Sequence, residues 1–292
     1  MAEQARLTDQ SAIKTYRYLR IGMIGVVLLL AVSVGIERAE AGGWQTSISA
    51  YYYTPVRAVF VGGLMAIGLC LIVIKGSHPW EDVSLNIAGM LAPVVALVPT
   101  STVRESTLLA SSPDPVRDGE LAAWVRASID NNIKALLIAG FAGLLVAALI
   151  ASVANRSVLA VAQVGDPGMR RGLAGALALL VAGALAFGYW DGFYTHGHTI
   201  AAFTMFGFLA LAAAINAWQR QDTRTEQWYF GLYVFIALAM VAAALVLLLF
   251  ARHWAYKVLV LEIIEISLFA TFWLVQTKEH WNERVEPGPT AT

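Results

Sequence analysis

The sequence predicts an all-α fold, a polytopic transmembrane helix bundle of about eight spans, and three observations carry that prediction. Of its 292 residues, 58% are hydrophobic and only 14% charged, where soluble domains carry about a quarter charged residues. Apolar runs recur along the whole length, each close to the roughly 20 residues a helix needs to cross a bilayer. Polar, Pro- and Gly-bearing punctuation separates them. Lys plus Arg equals Asp plus Glu at 20 each, so neither a basic excess for nucleic acid nor an acidic tail is present. The single cysteine, Cys70, lies inside an apolar run, which excludes an intrachain disulfide and a thiolate metal centre.

Each element follows in chain order. Residues 1–20 form a polar N-terminal segment with Arg6, Lys14, Arg17 and Arg20, and Ile21 to Ile36 is the first span. Ala39-Glu40-Ala41 has the small-x-small form of a signal cleavage site, but the long polar leader and long apolar run favour a retained span. The aromatic run Tyr51-Tyr52-Tyr53-Thr54-Pro55 enters a second span, Val56 to Ile74, with Pro55 suited to a first helical turn. After the charged turn Lys75 to Asp82, a third span, Val83 to Val98, contains Asn86 and Pro93. A proline there needs neighbouring helices to satisfy the freed carbonyl, which places this helix inside the bundle.

Residues 100–131 read as the one long connection, its Gly119–Asn132 portion an amphipathic lead-in to a fourth span ending near Ala154. Arg156 to Arg171 is a loop. The fifth span, Gly172 to Gly188, is Ala-, Leu- and Gly-rich, and small residues that let helices approach closely predict a central position. The sixth span follows the Tyr189–His198 hairpin, the seventh runs from Tyr229 to Ala251, and the eighth from Lys257 to Gln276. The chain is thus a single transmembrane domain over residues 21–277 with a polar tail at 278–292. With eight spans, 12 of the 20 Lys and Arg residues fall on the side of the termini, which places both termini in the cytoplasm of a cell membrane.

Within that frame the eighth span needs an explanation, because Glu262 and Glu265 sit in an otherwise apolar run. A carboxylate near the middle of a span costs at least about 2.5 kcal/mol. Three residues apart, the two share a helical face. At the same non-cytoplasmic level the topology places Arg57, Asp130, Lys134, Asp191, His196 and His198. Arg57 with Tyr52 offers a cation and a phenol near a helix start, suited to a lipid phosphate or to Glu262. The tyrosines, with Trp44, Trp190, Trp254 and Tyr256, also suit an interfacial aromatic belt. His196-Gly-His198 lacks the two-turn spacing of a metalloprotease helix, so no metal site is assigned. No Gly-rich phosphate loop or nucleophile elbow is present, and no cofactor is called for. Ser47 and Ser49 are nucleophile candidates by proximity alone.

The stretch Ser47 to Gly68, with its SxSxYYYTxxRxxFVG pattern, together with Leu85 to Thr100, His196 to Phe203 and Leu261 to Leu274, resembles an uncharacterised family of bacterial polytopic membrane proteins. The resemblance implies a multi-helix bundle and carries over no catalytic residue. A looser similarity is to the ceramidase-like membrane hydrolases with an intramembrane zinc, from which this chain departs in lacking a second histidine pair four residues apart. The sequence therefore points to an outward-facing polar pocket of Arg57, Tyr52, Asp191, His196, His198, Glu262 and Glu265 that binds a lipid headgroup or small solute. The alternatives are an intramembrane lipid hydrolase or transferase, with or without a metal, and a proton-coupled transporter with Glu265 as relay.

Overall fold

Apolar runs of span length fold here as helices, because a helix satisfies every backbone N–H and C=O within one segment. The computed structural model describes residues 2–100, 123–154, 167–220, 227–251 and 253–282. Among them are eight α-helices and no strand: α1 (Ala2–Ala41), α2 (Arg57–Val73), α3 (Pro79–Leu97), α4 (Ala123–Ala154), α5 (Pro167–Tyr189), α6 (Phe193–Arg220), α7 (Gln227–Phe250) and α8 (Lys257–Glu279). Seven are long and apolar enough to cross a membrane, and α2, at 17 residues, is the shorter eighth. The expected loops at 101–118 and 156–166, the charged loop at 221–226 and the tail beyond 282 lie outside the described residues.

Several expected boundaries move: α3 begins at Pro79 within the expected turn, α5 at Pro167 within the expected loop and α6 at Phe193 within the expected hairpin. Helix α1 runs unbroken from Ala2, so residues 2–20 are helical and continuous with the first span. Residues 123–131, expected within the long connection, belong to α4. The apolar positions Val125, Ile129 and Ile133, one turn apart, are all buried, and this face makes the lead-in an extension of the span.

Helices α1, α2, α3, α6, α7 and α8 form a ring in which each packs on the next and α8 returns to α1. Helix α5 packs on α3 from outside, and α4 packs on α5. An even number of crossings brings both chain ends to one end of the bundle, where the Arg17 guanidinium lies 5.2 Å from the Trp281 ring centre. The third span is interior as expected: half of its most apolar stretch is buried, more than in any other span candidate. Helices α2 and α3 meet backbone to backbone. A Cβ added to Gly68 would lie 2.7 Å from the Gly89 carbonyl oxygen, and one added to Gly89 would lie 2.6 Å from that of Gly68.

The fifth span is not central. Only 6% of its apolar stretch is buried, and its close approach is a peripheral one in which Leu180 of α5 seats against the small residue Gly140 of α4. Small residues license a close approach without saying which helix makes it.

Two features shape the end of the bundle opposite the chain termini. Between α1 and α2 the chain folds inward, and the 3-10 turn Ser49–Tyr53 is wholly buried. Tyr51, Tyr52 and Tyr53 therefore belong to a core cluster with Val34, Phe60, Ile129 and Phe193, where an aromatic belt was the expectation. Trp44, Trp190, Trp254 and Tyr256 remain exposed around the same end. Helix α7 buries Tyr233, Ile236, Ala237 and Met240, the last of them just past its midpoint, and from Val241 onward none of its residues is buried. The bundle is thus open between α6, α7 and α8 on that side.

Candidate functional site

The inward-folded segment is held to α8 by its own backbone. The Leu259 N–H donates to the Thr46 carbonyl at 3.0 Å, and one turn further along α8 the Glu262 carboxyl meets the turn itself. Its Oε2 accepts the N–H groups of Ile48 and of Ser49, the latter at 3.4 Å. Its Oε1 lies 2.6 Å from Ser49 Oγ. Ser49 Oγ in turn lies 2.8 Å from His198 Nε2.

The far side of the imidazole is fixed by α3. His198 Nδ1 lies 2.6 Å from the Val98 carbonyl oxygen and 3.1 Å from that of Val95. Two carbonyls can only accept, so Nδ1 carries the hydrogen, and Nε2 of the neutral ring presents a lone pair. Ser49 then has one hydroxyl hydrogen for two acceptors, Nε2 and the carboxylate. The chain closes when the carboxyl or the imidazole carries one further proton. Three segments distant in sequence are joined in this way: the 48–49 turn, α6 and α8.

These groups line one end of a cavity of about 630 Å³. Thr46, Ser47, Ser49, His198, Glu262 and Glu265 supply its polar side, and Phe203, Phe206, Met240, Val241, Ala244 and Leu248 its apolar walls. Phe203, Val241 and Leu248 are themselves exposed on the outer surface, so the cavity opens laterally where a bilayer would lie. Glu265, three residues on from Glu262 and so about 4.5 Å along the helix, is 4% exposed and its Oε2 has no hydrogen-bond partner.

Of the seven sequence-derived candidates, the structure brings together His198, Glu262 and Glu265. Arg57 and Tyr52 lie elsewhere, at a shallow depression with Ala58 and Asn132. Arg57 donates to Tyr52 Oη at 2.7 Å and stacks over the Tyr52 and Trp124 rings at 4.3 and 5.3 Å. Burial pushes the Tyr52 phenol above its ordinary value, opposed by the Arg57 charge beside it. The guanidinium is thus engaged by aromatics and does not meet Glu262. Asp191 and His196 are exposed, and His196 stacks on Trp190 with ring centres 6.0 Å apart. Two residues along a helix rotate a side chain by roughly 200°, so His196 points outward when His198 points inward. Asp130 is bound by the Tyr194 hydroxyl and takes no part in the cavity. No group of three or more His, Cys, Asp or Glu able to hold a metal exists among the described residues.

A second buried polar cluster lies at the end of the bundle that carries the chain termini, where the charges were expected in water-accessible turns. Glu81 is 0% exposed. Its Oε1 accepts from Asn216 Nδ2 at 2.7 Å and Gln276 Nε2 at 3.0 Å. Its Oε2 accepts from the Ser77 N–H at 2.8 Å and Ser77 Oγ at 3.1 Å. Helices α3, α6 and α8 are locked together there. Glu81, Asn216 and Gln276 are residues that sequence reasoning missed, and for the last two the signal was akin to the one that exposed the glutamates: a polar side chain within or closing an apolar run.

Comparison with known protein families, with curated proteins and with solved structures returned no match. The class rests on the fold itself, a multi-pass helical bundle built for a membrane.

Proposed function

We propose that this integral membrane protein resides in a cell membrane with both termini cytoplasmic and binds one amphiphilic molecule, lipid or lipid-like, in the cavity between α6, α7 and α8. The observation that carries the reading is the cavity's division into a polar end and apolar walls within one volume of about 630 Å³. That volume lies in the range of small-molecule sites, roughly 300–1,000 Å³. The lateral opening beside Phe203, Val241 and Leu248 offers a route from the bilayer, and the excess of Lys and Arg on the side of the termini supports the orientation.

Two observations weigh against the rival readings. Ser49 and His198 have the separation of a nucleophile and its base, which is what an acyl hydrolase would use. The Ile48 and Ser49 amides that could receive a developing oxyanion are held by Glu262, and without such donors that chemistry loses its largest stabilising contribution. A continuously open pore would require an opening at both ends, and the Glu81 cluster joins α3, α6 and α8 at the other end.

The test is extraction of the protein purified in lipid nanodiscs, followed by mass spectrometry of the released small molecules. One amphiphile per chain is expected, and Ala244→Trp, which fills the cavity, is expected to remove it. Equal occupancy in wild type and Ala244→Trp would refute the site.

A further inference from the structure

We infer that the head of the bound molecule is a cationic amine held by the Glu265 carboxyl, an inference that rests on the amphiphile reading of the same cavity. Apart from two neutral hydroxyls, those of Thr46 and Thr199, the polar side chains that line the cavity beside Glu265 are engaged within the protein. Ser47 Oγ accepts the Ala50 N–H at 2.9 Å. Ser49, His198 and Glu262 form a continuous chain in which both imidazole nitrogens and both carboxyl oxygens are engaged.

Glu265 stands apart from them. It is 4% exposed, it lines the cavity, and its Oε2 has no partner. Burying a carboxyl with an unmatched oxygen is unfavourable unless something else supplies donors or charge. Among the described residues no Lys or Arg lines the cavity, so none of them brings a cation to it.

The chemistry of the lining then selects among heads. A phosphate or carboxylate would meet two carboxyl groups and, among the described residues, no cationic side chain. A hydroxyl would give Glu265 one hydrogen bond and no charge. An ammonium group carries three donors and a positive charge on one small atom, which matches an isolated acceptor in apolar surroundings. The alkyl part would lie against Phe206, Val241 and Ala244, which share the cavity with Glu265.

The experiment uses the full chain in nanodiscs of zwitterionic lipid near neutral pH. Melting-temperature shifts are titrated with dodecylamine, dodecanol, laurate and butylamine on wild type, Glu265→Gln and Glu265→Asp. Dodecylamine is expected to bind wild type at least about tenfold more tightly than dodecanol, with laurate weakest, since truncating one partner of a buried charge pair costs at least that factor. Glu265→Gln is expected to abolish the preference for the amine while leaving dodecanol binding intact, and Glu265→Asp to retain it. Equal affinity for amine and alcohol in wild type, or a preference that survives Glu265→Gln, overturns the amine assignment and leaves the amphiphile site standing. Butylamine binding as tightly as dodecylamine, or binding by none of the long-chain compounds, overturns the amphiphile reading itself.

Discussion

Glu262→Ala is expected to destabilise the protein by about 3 kcal/mol, while Glu262→Gln leaves it near wild-type stability. Alanine strips the acceptor from the Ile48 and Ser49 amides and the partner from Ser49 Oγ, and each buried group left unmatched costs about 1–3 kcal/mol. Water entering from the adjacent cavity recovers part of that loss. Glutamine fits because its carbonyl oxygen accepts the two amides while its NH₂ donates to Ser49 Oγ. Ser49 is then free to donate to His198 Nε2, so the chain closes with no proton to spare. Thermal unfolding in nanodiscs reads the difference. The segment that Glu262 holds carries the buried Tyr51-Tyr52-Tyr53 turn, so limited proteolysis within residues 42–54 is expected to accelerate in the alanine variant alone.

Glutamine, tolerated at position 262, is expected to be destabilising at Glu81, with Glu81→Gln costing about 2–3 kcal/mol. Each Glu81 oxygen meets at least one group that can only donate: the Asn216 and Gln276 side-chain amides on one, the Ser77 backbone N–H, beside its hydroxyl, on the other. The Asn216 NH₂ is fixed by a second bond to the Ala212 carbonyl at 2.9 Å, so it cannot turn to accept. Any placement of a glutamine NH₂ therefore sets donor against donor in a fully buried site. Unfolding curves of Glu81→Gln and Glu262→Gln run side by side form the check. Equal stability in the two variants would contradict both hydrogen-bond assignments.

The contrast between the two glutamates shows where sequence reading works and where it stops. Glu262 and Glu265 stood out because a carboxyl inside an apolar run has no local excuse, and their i,i+3 spacing placed them on one face. Glu81 did not, because it sits beside Asp82 in a charged turn, and its burial depends on Asn216 and Gln276 arriving from two other helices. Ser49 was visible only as a neighbour. Its role depends on the path of the 42–56 segment, which folds inward over α8, and nothing in SISAYYY distinguishes that path from an interfacial belt. Arg57 and Tyr52 were read at the correct end of the bundle, but depth along the helices is not direction around them. The aromatic surface of Trp124 and Tyr52 captures the guanidinium on the far side from the cavity.

The number and type of helices were legible for a simpler reason. Span length and apolarity are properties of one segment at a time, as the runs that became α6, α7 and α8 illustrate. The exterior position of α5 is a relation between segments, and its Gly- and Ala-rich sequence is compatible with a central or a peripheral contact.

Photolabelling with a single-tailed amphiphile that carries a diazirine in its chain, followed by peptide mapping, tests the occupied cavity most directly. Labels concentrated on Phe203, Phe206, Val241, Ala244 and Leu248, and competed away by excess unlabelled compound, are the predicted result. Labels spread without competition over outer residues such as Leu28, Leu29, Leu149 and Ile150, at the same density as on the cavity walls, would contradict it.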